Sequence, residues 1–359
     1  MQKKIRFFLC FFIAGMITAN AQSVSKDSLG NFIQQKADSL YRKSKVPGIF
    51  IAVLNGNQKQ YFDVGFAVPD QQRRFDSATL FEAGSITKTF TAYILNAVLE
   101  ENHIADTVSI LGFLPDSVQT NKALAGINFL QLLNHTSGFP RLPTNMLMDG
   151  SAEMAPYDNY TADKLYAYLK TASPVQSVNP SYSNLGMGLA GVLAERISKK
   201  SFATLLDEYV LIPFRVITPG KQAENADNKS QGYFDTSKVA YWNMDVMAPA
   251  GGLKCTAAEM LQYLQSMSVP VNQLSKNRIE KLLQPTAAMS PQVKVCRGWF
   301  TLDVKDKGTI YWHNGGTFGF STFAAFLKDK SKAVIVVVNK TNSNNISDKL
   351  GMEIIKKLF

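Results

Sequence analysis

The β-rich segments of this chain cluster at its two ends, and a long helical stretch separates them. Near the start, Leu29, Phe32, Ile33, Leu40 and Tyr41 recur at helical spacing over 27–45, and Pro47-Gly48 stops the helix they predict. Residues 48–54 and 58–66 then read as strands, divided by the hairpin signal Asn55-Gly56-Asn57. Toward the other end, 298–304, 308–312, 320–327 and 332–338 read as strands, and 346–358 as a closing helix. Between about 85 and 290 the apolar pattern is helical and little looks like strand. The economical architecture is α+β: one antiparallel sheet built from both chain ends, flanked by helices, with an inserted mainly helical lobe. The lobes expected are α/β over 22–84 and 291–359, and helical over 85–290. An active site in the cleft between them would be usual. With 46% hydrophobic residues among 359, the chain has enough apolar surface for a large core.

The first residues read as a secretory signal. Lys3, Lys4 and Arg6 precede an apolar run over 7–17, then the small residues Ala19-Asn20-Ala21. A membrane span needs about 20 apolar residues and this run is shorter, so cleavage near Ala21 is expected, leaving a catalytic domain over 22–359. The mature chain is then exported, periplasmic or secreted, with no transmembrane span. Its charge falls from +10 to +7 on loss of Lys3, Lys4 and Arg6, and the remaining basic residues are scattered, which gives no nucleic-acid signature. Cys255 and Cys296 remain after cleavage, leaving a disulfide open. Three histidines without Cys/His spacing argue against a metal, and no cofactor is expected. Gly186-Met187-Gly188-Leu189-Ala190-Gly191 matches a dinucleotide fingerprint, but it follows Tyr182-Ser183-Asn184 rather than a strand. Close helix packing explains these glycines better.

Chemistry enters at Phe81-Glu82-Ala83-Gly84-Ser85-Ile86-Thr87-Lys88-Thr89-Phe90, which opens an apolar helix running to about residue 101. A spacing of three places Ser85 and Lys88 on one face of its first turn. A serine hydroxyl needs a base to become a nucleophile, and a desolvated lysine is neutral enough to be one. Ser-x-x-Lys alone also fits a helix cap beside a solvated lysine.

Two further segments remove that ambiguity. Tyr182-Ser183-Asn184 and His313-Asn314-Gly315-Gly316 follow in order, and with Ser85-x-x-Lys88 they resemble the motifs of the serine β-lactamase and penicillin-binding protein superfamily. The likeness is to its class C β-lactamase, D-peptidase and esterase branch. The stretches 44–48, 132–138 and 249–253 also look like landmarks of that family. The resemblance implies that Tyr182 shares proton transfer with Lys88, and that Asn184 hydrogen-bonds Lys88 and the substrate amide. It also implies that backbone N–H groups of Ser85 and Gly316 form the oxyanion hole, with His313, Asn314 and Gly315 lining the substrate cleft. His135 reads as a loop-ordering residue rather than a catalytic one.

One departure matters. His313 stands where the family's third motif carries lysine, and a histidine of ordinary pKa about 6.5 is mostly neutral at pH 7. A permanent cation for a substrate carboxylate is therefore missing there, which counts against efficient β-lactam hydrolysis, and the His-x-Gly form resembles esterases and peptidases of the branch. The implied function is an exported serine hydrolase forming a Ser85 acyl-enzyme on a β-lactam, a D-Ala-type peptide or a carboxylic ester, that is, on a small-molecule or peptide substrate. Two alternatives remain: an acyltransferase passing the acyl group to an alcohol or amine, and a non-catalytic penicillin-binding sensor.

Overall fold

A computed structural model describes residues 28–146, 155–175, 177–216 and 227–359. The expected leader over 1–21 lies outside the described residues.

The centre of the fold is an eight-stranded antiparallel sheet. Its first strands are β1 (Gly48–Asn55) and β2 (Gln58–Gly65), joined by the expected tight hairpin. Outside it, β3 (Leu80–Glu82) pairs with β6 (Lys254–Thr256), and β4 (Gly232–Phe234) pairs with β5 (Ser237–Val239). The rest of the main sheet is β7 (Ala287–Ala288), β8 (Val293–Val295), β9 (Phe300–Val304), β10 (Gly308–Gly316), β11 (Ser321–Leu327) and β12 (Lys332–Val338), in the order β2-β1-β12-β11-β10-β9-β8-β7. The β1–β12 pair, with Ile51 opposite Val336, joins the two chain ends at the middle of the sheet.

Both faces of that sheet are covered, which is why β1 and β12 are apolar runs without polar alternation. Ile49, Ile51, Val53, Val334 and Val336 pack under helix α1 (Ser28–Lys43) and the closing helix (Asn344–Lys357). Phe50, Ala52, Leu54, Ile335 and Val337 face the opposite way, into the core shared with the helical lobe. That lobe holds α2 (Thr87–Glu101), α3 (Asp116–Gln119), α4 (Phe129–Leu133), α5 (Ala162–Leu169), α6 (Asn184–Ser198), α7 (Phe202–Leu206), α8 (Ala248–Gly251), α9 (Ala257–Ser268) and α10 (Gln273–Leu282), and the closing helix is α11.

Two features differ from the sequence expectation. The third-motif strand runs on through Gly316 instead of ending at 312, because Asn314, Gly315 and Gly316 still pair with Phe323, Thr322 and Ser321. The region expected to be helical contains β4 to β7, pieces of two or three residues too short to leave a period-2 signal. The glycines of the false fingerprint lie inside α6. A Cβ on Gly188 would meet Met247 Sδ at 2.7 Å, and one on Gly191 would meet Pro249 Cγ at 2.2 Å, so their smallness lets α8 close onto α6. Cys255 and Cys296 are both free and buried.

Candidate active site

Ser85 sits in a short 3₁₀ turn, Gly84–Ile86, that runs directly into α2. Gly84 has φ of 55°, a left-handed conformation that favours glycine. A Cβ there would stand 2.8 Å from Gly316 N, and one on Gly315 would stand 2.1 Å from Ala83 O and 3.1 Å from Ser85 N. The two glycines thus let the nucleophile turn and the end of β10 touch backbone to backbone. Ser85 and Gly316 are brought together at the floor of one cavity.

Lys88 lies one turn further on and is completely buried, with 0% exposure. Its Nζ is 2.9 Å from Ser85 Oγ and donates to the Ala250 carbonyl at 2.5 Å. Desolvation, aided by the nearby charge of Arg141, holds this amine well below the ordinary lysine range. Such an amine is available as a neutral base.

Tyr182 leads into α6 and packs its ring 4.9 Å from Lys88 Nζ and 4.6 Å from the His135 ring. Burial raises its phenol above the usual range and outweighs a hydrogen bond to Ser85 and the charge of Arg141, which pull the other way. The hydroxyl therefore keeps its proton. His135 orders this segment: its carbonyl accepts the Ser181 N–H at 2.7 Å, and its Nδ1 accepts the Ser183 N–H at 3.3 Å. Ser183 caps α6 by accepting the Gly186 N–H at 2.9 Å and donates to Pro140 O at 2.7 Å.

The implied contact between Asn184 and Lys88 is not made. Asn184 Nδ2 donates to the Tyr157 hydroxyl at 3.1 Å, while its Oδ1 is buried without a hydrogen-bond partner among the described residues. Lys88 is held instead by Ser85 and Ala250.

The third motif also differs from expectation. The His313 ring is completely buried and does not line the cavity. Its Nδ1 is bound at 2.6 Å to the carbonyl of Asn314, and desolvation together with the nearby Lys88 pushes its pKa down to about 3. His313 is neutral and packs beneath the site, 5.1 Å from Phe300 between ring centres. Asn314 and Gly315 do line the cavity, and Asn314 Nδ2 donates to Asp348 at 2.6 Å.

The cavity has a volume of about 760 Å³ and opens above Ser85. Trp242, Phe300, Trp312 and Phe318 form aromatic walls, and the one charged residue among the described lining residues is Arg141. Its guanidinium lies 5.3 Å from the Tyr182 ring centre, and its carbonyl accepts the Asn184 and Leu185 N–H groups at the start of α6. Sequence reasoning passed over Arg141 because its only signal is its place, three residues after the Leu132–Gly138 landmark. It also missed what 249–253 does: Pro249 O accepts from Thr91 at 2.6 Å, Ala250 O from Lys88, and Leu253 N–H donates to Thr87 at 3.0 Å. That stretch clamps the nucleophile helix. Among the described residues no group of three or more His, Cys, Asp or Glu side chains is placed to hold a metal ion, and no helix is long and apolar enough to cross a membrane.

A family model described as Beta-lactamase matches residues 31–357. A beta-lactamase of Providencia stuartii is 23% identical over 93% of this chain and 92% of its own length. Penicillin-binding protein 4* of Bacillus subtilis (strain 168) is 22% identical, covering 88% of this chain and 73% of its own. Among solved structures, a beta-lactamase/D-alanine carboxypeptidase from Pseudomonas syringae superposes with a TM-score of 0.78 at 19% identity, covering 91% of this chain and 98% of that one.

Proposed function

The chain belongs to the beta-lactamase family, and on that premise we propose that it is an exported serine hydrolase working through a Ser85 acyl-enzyme. The observation that carries this reading is the buried Lys88 amine 2.9 Å from Ser85 Oγ. Neutral Lys88 takes the Ser85 proton as Oγ attacks the acyl carbon, and the Ser85 and Gly316 N–H groups hold the oxyanion. Tyr182, whose phenol keeps its proton, passes one to the leaving nitrogen or oxygen and is reprotonated from Lys88. Water then attacks the acyl-enzyme, gives its proton along the same route, and releases Ser85.

The two bases thus divide the work: environments that push their pKa values apart assign Lys88 as base and Tyr182 as acid. With His313 buried and neutral, Arg141 is the cation left to meet an anionic substituent of the acyl donor. The aromatic walls favour an organic acceptor as well as water, which supports acyl transfer as a second reading.

An activated phosphonate should add once per chain at Ser85, read by mass spectrometry, and Ser85→Ala should take up none. A panel of nitrocefin, p-nitrophenyl esters with and without a carboxylate, and D-Ala-D-Ala peptides, each with and without an alcohol, should show turnover lost by at least about 10³ in Ser85→Ala and Lys88→Met. Labelling that survives in Ser85→Ala would sink the assignment. Stoichiometric acylation without turnover of any donor would move the reading to a sensor.

A further inference from the structure

Glu82 ends β3, three residues before the nucleophile, and is 3% exposed. A carboxylate this deep needs partners for both oxygens, and it has two that face the cavity. Its Oε1 accepts the Trp242 backbone N–H at 2.5 Å, and its Oε2 accepts the Thr317 hydroxyl at 2.7 Å. Thr317 directly follows Gly316. Its Oγ1 also accepts the Gly319 and Phe320 N–H groups at 3.2 and 3.1 Å, so Thr317 closes the turn at the end of β10. Trp242 stacks edge-on against Phe318 at 5.1 Å and Tyr157 at 5.0 Å, and Tyr157 is the partner of Asn184. One carboxylate therefore ties the strand before Ser85, the turn after the oxyanion strand and the opposite wall of the cavity.

The bonding favours the ionised form. The Trp242 N–H can only donate. Both lone pairs of Thr317 Oγ1 are taken by backbone N–H groups, so its hydrogen must go to Glu82. A proton on one carboxyl oxygen removes the charge that strengthens both bonds and leaves that oxygen a poorer acceptor, which weakens its bond to Trp242 or Thr317. Around Glu82, Lys254 faces it across β3–β6 and favours the charge. The Tyr241 hydroxyl is turned to Leu80 O and Ser230 O, and the Cys255 thiol on β6 stays protonated by burial. None supplies an ion pair, and burial pushes Glu82 up to about 7.

We propose that Glu82 is a positioning residue of the Ser85 site: as a carboxylate it fixes the Gly316–Phe318 turn and Trp242 in the geometry that catalysis uses, and on taking up a proton it releases them. This deepens the hydrolase reading and rests on it for its effect on rate.

The test uses the full mature chain. In Ser85→Ala, which carries no chemistry, Trp242 fluorescence should titrate between pH 5.5 and 8.5. The step should vanish in Ser85→Ala/Glu82→Gln and in Ser85→Ala/Trp242→Phe. On a p-nitrophenyl ester, Glu82→Gln, which presents one acceptor instead of two, should lower kcat at pH 8 about 10-fold with KM within twofold, a fraction of the loss from removing an oxyanion donor outright. That gap to the parent should narrow as pH falls to 5.5. Thr317→Val should reproduce the kcat loss, which covers the case in which Glu82→Gln fails to fold. An emission step that persists unchanged in the Glu82→Gln background, or a Glu82→Gln kcat within twofold of the parent at pH 8, overturns the proposal. If wild-type Ser85 takes no phosphonate, the hydrolase reading fails while the fluorescence titration still judges Glu82.

Discussion

His313 shows what a buried base does to a fold. Its folded pKa lies near 3 against about 6.5 when solvated, so the unfolded chain takes up a proton that the folded chain refuses. Stability contributed by neutral His313 is present above pH 6.5 and is lost as pH falls toward 3, by up to about 1.4 kcal/mol for each pH unit. Between pH 7 and 5 Glu82, raised to about 7, contributes with the opposite sign, so the measure is the difference. Urea unfolding at pH 7, 6 and 5 should show His313→Asn losing less stability than the parent as pH falls. An identical slope in His313→Asn would contradict the burial. His135, also buried and depressed, acts in the same direction and leaves a residual slope. At this scale the nearness of Ser85 and Lys88 was legible from their spacing of three, and Tyr182 and Gly316 were picked out through the family resemblance; the structure brings all four to one site. The partners of Asn184, the burial of His313 and the part of Arg141 were not, since each depends on which wall a side chain meets. Glu82 lay inside the quoted nucleophile segment without any sign that both of its oxygens were engaged.

At the scale of elements, the site is held by close contact between α6, α8 and α2. Gly191→Ala would drive a methyl group to 2.2 Å from Pro249 Cγ, a rigid ring, and should cost about 1–3 kcal/mol in urea unfolding. The displaced segment includes Ala250 O, which receives Lys88, so kcat should fall as well. Gly188→Ala meets only the flexible end of Met247 and should cost less. Equal costs at the two positions would show that α8 yields as a unit. The long strands and terminal helices were readable because β1 and β12 are buried on both faces and stay apolar throughout. The short pairs β3–β6 and β4–β5 were not, because three residues exist as strand only when a tertiary partner meets them.

For the whole molecule, the antiparallel sheet with a helical insertion followed from the ends of the chain alone, and the structure adds how those ends meet. Strand β1 finds its partner β12 nearly 280 residues later, and α1 lies beside α11, where Lys36 and Glu353 pair at 2.9 Å. Phe32 is flanked by Lys36 and Lys357 at 5.5 and 5.8 Å from its ring. First and last helices are thus neighbours on the face of the sheet away from Ser85. The order in which the polypeptide is threaded is then separable from its shape. A circular permutant with α11 linked to α1 by a short Gly/Ser tether, reopened in the exposed segment around Val271 between α9 and α10, should melt within a few degrees of the parent and still take one phosphonate at Ser85.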